Sequence, residues 1–148
     1  MTKKQDILYK IAKNNLKNCK NFCGIDYGTK RIGVALSDSS HIARPFKIIS
    51  HIKELDDIIP AYNIECFVMG WPLQSDSTVG GSIANVLLFS HRLMEKFNLP
   101  IVYIDERLTS VKTQQQLENL FYKEKTIKKT LDASVAALLL QTFLNNFR

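Results

Sequence analysis

Residues 22–38, FCGIDYGTKRIGVALSD, constrain the fold more than any other stretch. Two short apolar runs flank Tyr27-Gly28-Thr29-Lys30-Arg31. The first, Phe22 to Ile25, ends in Asp26. In the second, Ile32, Val34 and Leu36 alternate with Gly33 and Ala35. That pattern predicts a β-hairpin. A carboxylate closing an apolar strand is costly to bury, and binding a metal ion offsets the cost. The plainer alternative is a turn carboxylate accepting from the backbone of Gly28 or Thr29. Both readings are open on this stretch.

The rest of the chain supplies what a hairpin needs to be covered. Cys66-Phe67-Val68-Met69 and Ile101 to Ile104 are apolar on both faces, as in buried central strands. Phe46 to Ile49 after Pro45 reads as a third strand. Ser50 is a candidate cap for a helix carrying Ile52, Leu55, Ile58, Ile59 and Tyr62. A longer helix is predicted from about Ser82 to Phe97, with Ile83, Val86, Leu87, Leu93, Met94 and Phe97 inward. Thr109 or Ser110 caps another through about Phe121, with Val111, Leu117, Leu120 and Phe121 inward. The last begins near Thr130 and turns Val135, Ala136, Leu139, Leu140, Phe143 and Leu144 to the core. The order β-β-β-α-β-α-β-α-α predicts a mixed α/β sheet with helices on its faces. Residues 1–20 read as a basic extension and residues 21–148 as one domain.

Composition narrows the partners. The 148 residues suffice to bury roughly two-thirds of the unfolded surface, and the net charge of +6 points to a polyanion such as nucleic acid. Cys19, Cys23 and Cys66 form no Cys-x-x-Cys pair, and His41, His51 and His91 fall in no zinc spacing, so reduced thiols in a cytoplasmic protein are expected. No apolar run is long enough to span a membrane, and the lysine-rich start lacks the apolar core of a signal peptide.

Four carboxylates share a structural character. Asp26 ends the first strand, Asp105 and Glu106 end the last, and Asp132 opens the last helix. Open α/β sheets place ligands at strand ends and helix N-termini. If the strands lie near each other, the carboxylates converge, repel and need cations. Oxygen ligands favour Mg²⁺ or Mn²⁺. Two such ions about 3.5–4 Å apart would stabilise the attacking and leaving oxygens of a phosphodiester. Strand alternation points Asp105 and Glu106 to opposite faces, so one is the direct ligand, and either can be. The plain alternatives are a helix-dipole role for Asp132, ion pairs with Arg107 for the acidic pair, and a turn role for Asp38. Arg107, Thr109 and Gln74 stand at the same kind of edge, and Lys30, Arg31, Lys123, Lys125, Lys128 and Lys129 can neutralise phosphates. Trp71 suits base stacking or the core.

GIDYGTKRIGVALSD, VMGWPLQSD, VYIDERLTSVKTQQQL and LDASVAALLLQTFL together resemble the four motifs of the YqgF/RuvX family, across about residues 22–145. The resemblance implies a three-layer ribonuclease H-like fold with a mixed five-stranded sheet and helices on both faces, similar to RuvC-type Holliday junction resolvases. It implies a nuclease that processes the 5′ end of pre-16S rRNA. By resemblance Asp26 is the first-strand metal ligand, the Asp105-Glu106 pair supplies the second acid and Asp132 the third. Trp71 replaces a usual Leu, Gln74 with Ser75-Asp76-Ser77 replaces an Asn and Asp-Gly pattern, and the basic segment before Asp132 lacks a glycine. These departures bear on substrate preference and loop geometry.

The leading expectation is a two-metal endonuclease acting on structured pre-rRNA of the ribosome precursor, as a monomer or homodimer. A junction resolvase acting on branched DNA is the nearest rival and asks for two active sites. An actin-like ATPase shares the phosphate-binding hairpin, but needs two such domains where the chain provides one. A ribosome-assembly factor that binds RNA without cutting it is the third class.

Overall fold

The computed structural model describes residues 16–71, 79–105, 109–124 and 134–147. Its centre is a five-stranded sheet in the order β3-β2-β1-β4-β5. The strands are β1 (Phe22–Tyr27), β2 (Ile32–Ser37), β3 (Arg44–Ile49), β4 (Cys66–Trp71) and β5 (Ile101–Asp105). The predicted hairpin is present, with β1 antiparallel to β2 and Tyr27 opposite Ile32. A side chain on Gly28 would come within 2.7 Å of the Arg31 carbonyl oxygen, so the turn needs glycine there. β2 pairs antiparallel with β3, whereas β1, β4 and β5 run parallel, giving the mixed sheet expected.

The helices are α1 (Leu55–Ala61), preceded by a 3-10 turn at Ile52–Glu54, α2 (Val79–Phe97), α3 (Val111–Glu124) and α4 (Ser134–Phe147). Alternation along the strands divides the core in two. Cys23, Ile25, Phe67 and Met69 pack with Leu55, Ile58 and Ile59 of α1 and Val86, Phe89 and Leu93 of α2. Phe22, Ala35, Val68, Val102 and Ile104 pack with Leu117 of α3 and with Ala136, Leu139, Leu140, Phe143 and Leu144 of α4. The result is three layers, helices on both faces of the sheet. Leu16, within the expected basic extension, is buried on the α4 side.

Several sequence expectations shift. The cap after β3 is His51, not Ser50. Its imidazole accepts from Lys53 N–H, and Glu54 accepts from the N–H groups of Ser50 and His51, closing a capping box. Ser110 caps α3, accepting from Thr113 N–H at 3.1 Å. Leu87, Met94, Val111 and Val135 were expected inward and are exposed, and Phe89, Ser90 and Thr113 are buried instead. The apolar stripes of these helices are wide, so their phase was set by packing rather than by the pattern.

Helix α4 runs antiparallel to β1. Phe22 meets Phe143 and Phe147 near the helix C-terminus, each with ring centroids 5.5 Å away. Two residues along the strand, a Cβ on Gly24 would lie 2.9 Å from both the Ala136 carbonyl oxygen and the Leu140 Cβ. The helix backbone therefore rests directly on the strand. Gly24→Ala is expected to push α4 outward and destabilise the fold by about 1–3 kcal/mol. Urea unfolding of the variant beside wild type measures it, and an unchanged midpoint would disprove the tight contact.

Candidate metal and nucleic-acid site

Asp26 is the penultimate residue of β1 and half-buried. Alternation places it on the same face as Phe22 and Gly24, the face covered by α4. Its cross-strand partner on β2 is Gly33. On β4 the β1 register reaches Ile25 opposite Met69, and the next residue along β4 is Gly70. Asp26 is thus flanked by glycines, and no neighbouring strand side chain crowds the carboxylate on this face.

Burial pushes the Asp26 carboxyl above the ordinary range. Asp26 has no hydrogen bond or ion pair among the described residues. Asp38 is the contrast. Exposed after β2, it accepts from Ser40 N–H at 2.8 Å, and the Ser40 hydrogen bonds hold its carboxyl low. Asp38 is the turn residue expected; Asp26 is not a turn cap. A half-buried carboxylate with room beside it and no cation fits a hard divalent ion, whose charge would offset the desolvation.

Asp105 is the last residue of β5, buried, and paired with Trp71. It lies two strands from Asp26, about 9–10 Å across the sheet at ordinary strand spacing. Alternation groups Asp105 with Ile101 and Tyr103, the face opposite Asp26. Tyr103 packs edge-on against Trp71 with centroids 5.3 Å apart, which gives Trp71 an aromatic partner within the fold. Lys30 and Arg31 are exposed in the β1–β2 turn beyond Asp26. Thr109 is half-buried just before the Ser110 cap of α3. Glu106, Asp132, Gln74, Arg107, Lys128 and Lys129 lie outside the described residues. Among the described residues no three His, Cys, Asp or Glu side chains gather as a metal centre. Cys19, Cys23 and Cys66 are unpaired, and burial pushes the Cys23 and Cys66 thiols far up, so they are inert packing groups. No helix among the described residues is long and apolar enough to cross a membrane.

The expected apolar face of α4 omitted two buried polar residues, Gln141 and Thr142. Gln141 is buried, and its Oε1 accepts from Ala43 N–H at 2.8 Å. Its position was the available signal: it stands four residues after Ala137 and three before Leu144, inside the apolar stripe.

Comparison with known proteins gives consistent results. The sequence model of a family described as "RuvX: Holliday junction resolvase" matches residues 20–146. A protein of Lactobacillus acidophilus named "Putative pre-16S rRNA nuclease" is 35% identical over 136 residues, covering 84% of this chain and 96% of that one. A protein of Geobacillus kaustophilus with the same name is 33% identical over 134 residues, covering 84% and 97%. The fold resembles Thermus thermophilus RuvC, solved with a Holliday junction substrate, at a TM-score of 0.55 and 10% identity over 86% of this chain and 95% of that one. It also resembles the fowlpox virus Holliday junction resolvase, at a TM-score of 0.54 and 13% identity over 86% and 99%. The ribonuclease H-like architecture expected from the motifs is the one found.

The Asp26 environment has a consequence for stability. A carboxyl whose folded-state pKa is raised binds its proton more tightly when folded, so stability falls as pH rises from the unfolded value, about 3.9, through the folded one. Asp26→Asn removes this cost. In EDTA at pH 7.5 its melting temperature is expected above wild type, and the gain should vanish at pH 3. A variant less stable than wild type at pH 7.5 would show that the carboxylate has a partner.

Proposed function

This chain belongs to the RuvX family, which makes it a nuclease and hence a hydrolase, and we propose that it is a metal-dependent endonuclease centred on Asp26. The observation that carries the proposal is the half-buried Asp26 carboxylate, without a partner among the described residues, between two glycine positions on the face that α4 covers. Asp132 is its proposed partner. Contacts advance from Phe143 to Ala136 along α4 as they advance from Phe22 to Gly24 along β1. Two further strand residues, about 6.6 Å, reach Asp26. α4 begins at Ser134, two residues after Asp132 in the sequence, and its antiparallel course turns that end toward the Asp26 end of β1, which supports the pairing.

Either Asp105 or Glu106 completes the ligand set. The assignment of Asp105 to the Tyr103 face favours Glu106. We assign Mg²⁺ or Mn²⁺, two ions, to these carboxylates. Bound there, such ions would lower the pKa of a water nucleophile and offset charge on the leaving oxygen. The chain's own part is to hold and orient the oxygen donors. Lys30 and Arg31 in the hairpin turn, with Gln74, Arg107, Thr109, Lys128 and Lys129, are proposed to bind phosphates and set the strand across the site. Residues 21–148 form the nuclease domain in this reading, and residues 1–20 a basic extension.

The proposed substrate is the 5′ region of pre-16S rRNA, the molecule for which the relatives at 33–35% identity are named, within the ribosome precursor of the cytoplasm. The second reading, a resolvase of branched DNA, is favoured by the family's description and would require a dimer to cut both strands. Incubation of wild type, Asp26→Asn and Asp132→Asn with a pre-16S 5′ fragment and with a four-way junction separates the two. Wild type is expected to cut the RNA with Mg²⁺ or Mn²⁺ and not with EDTA. Each variant should lose at least about 100-fold in cleavage while binding is kept. Undiminished cleavage by either variant removes that residue from the mechanism. Junction cleavage alone installs the resolvase reading. A wild type that binds RNA and cuts nothing is an assembly factor.

A further inference from the structure

Gln141 makes hydrogen bonds in three directions from the middle of α4. Its Oε1 accepts from Ala43 N–H at 2.8 Å, and its Nε2 donates to the His41 carbonyl at 3.1 Å and to Asn145 Oδ1 at 3.0 Å. Two of these bonds grip the backbone just ahead of β3, about one hundred residues away in sequence. Gln141 and Ala43 are both buried, so water does not substitute for the bond between them, and the bond to the His41 carbonyl is partly buried.

The gripped loop does not take its path for local reasons alone. His41 has a left-handed backbone (φ 59°), which is uncommon for a residue other than glycine, and its Nδ1 is buried without a hydrogen-bond partner. The loop holds a strained conformation that the Gln141 amide helps to fix. Asn145, one turn further along α4, donates to Gln116 of α3 at 3.2 Å, so the same network ties α4 to its neighbouring helix.

What this fixes is an axial position. The α4 contact with β1 is mainly apolar: Leu140, Phe143 and Phe147 lie against Gly24 and Phe22, with the Ala136 carbonyl over Gly24. Apolar burial is non-directional and changes little when a helix slides by part of a residue. Hydrogen bonds of 2.8 and 3.1 Å to fixed backbone atoms do not tolerate that slide. Because α4 runs antiparallel to β1, any slide changes where its N-terminal end arrives relative to Asp26.

We propose that Gln141 is a positioning residue for the metal site: its amide, clamped on the backbone of residues 41 and 43, sets the axial position of α4 and so the distance from the helix N-terminus to Asp26. The inference rests on the metal-centred reading above. It also extends it, since Gln141 lies about two turns from the helix start and cannot touch metal or substrate there.

The test compares Gln141→Leu, which keeps the volume and loses the bonds, with Ile59→Ala, a cavity in α1 on the other face of the sheet. The readouts are the Mg²⁺ concentration for half-maximal cleavage, KM for the nucleic acid, and the rise in melting temperature on adding Mg²⁺, at a temperature where all variants are folded. Gln141→Leu is expected to raise the Mg²⁺ midpoint about tenfold, leave KM unchanged and shrink the Mg²⁺-induced rise. Ile59→Ala should lose thermal stability and change none of the three. Gln141→Glu keeps the acceptor for Ala43 and loses the donor to His41, and should fall between; it also serves where the Leu variant does not fold. A Gln141→Leu variant with the wild-type midpoint and the wild-type rise overturns the proposal. Equal shifts in Gln141→Leu and Ile59→Ala reduce Gln141 to a stability role. A wild type showing no Mg²⁺-induced rise at all fails the metal reading instead, so the two failures are distinguishable.

Discussion

The contact between α4 and β1 at Gly24 sets the geometry of everything on that face. A helix normally rests on a sheet through side chains; here the strand offers none at Gly24, and the Ala136 carbonyl and Leu140 Cβ come within 2.9 Å of where one would begin. Small residues continue the contact: Ala35 pairs with Gly24 on β2, and Ala136 and Ala137 face them from the helix. A close approach of this kind carries strong dispersion contact, since many atoms sit at optimal distance. It also commits the helix to one lateral track over β1, which leads toward Asp26.

The same small residues change what a carboxylate costs. Asp26 is half-buried with no counter-charge among the described residues, and an unpaired buried carboxylate costs stability. A larger residue at Gly33 would place a side chain beside Asp26 on the same face of the sheet. With glycine there, no β2 side chain stands beside the carboxylate, and a desolvated carboxylate at a strand end fits the metal-ligand role proposed for it.

Much of this was legible in the chain because short-range rules govern it. The hairpin follows from two apolar runs and a turn that needs Gly28, and once Tyr27 pairs with Ile32 the Asp26–Gly33 pair follows by counting. The five strands and their helices were readable from period and punctuation. The rotational phase of the helices was not: α2 carries Val86, Leu87, Leu88, Phe89, Leu93 and Met94, so apolar residues fall on most sides of it. Lys96 of α2 pairs with Asp56 of α1 at 2.8 Å, and Leu87 and Met94 are exposed. Which side of such a helix is buried is decided by segments some 40 residues away, and no local pattern encodes it. Of the site, the Asp26 end was visible as an acid closing an apolar strand. The role of the buried Gln141 amide was hidden because its backbone partners, Ala43 N–H and the His41 carbonyl, lie about one hundred residues away in sequence.

The two faces of the sheet divide the labour accordingly. On the α1–α2 side, Phe67, Met69, Phe89 and Leu93 fill the space with large side chains, and the aromatic pairs Phe67–Phe97 and Tyr27–Phe89 lie there, at 5.8 and 4.7 Å. That packing is dense, apolar and able to repack under conservative exchange. On the α4 side the residues nearest Asp26 are small, the helix backbone is close, and alignment depends on two hydrogen bonds from one amide to a strained loop. Such an arrangement adds less apolar burial per residue but resists sliding. A site that needs oxygen donors from a strand and a helix held at fixed separation is better served by the second kind of packing than by the first. The residues that make it rigid are therefore glycine, alanine and glutamine rather than the large apolar side chains that dominate the opposite face.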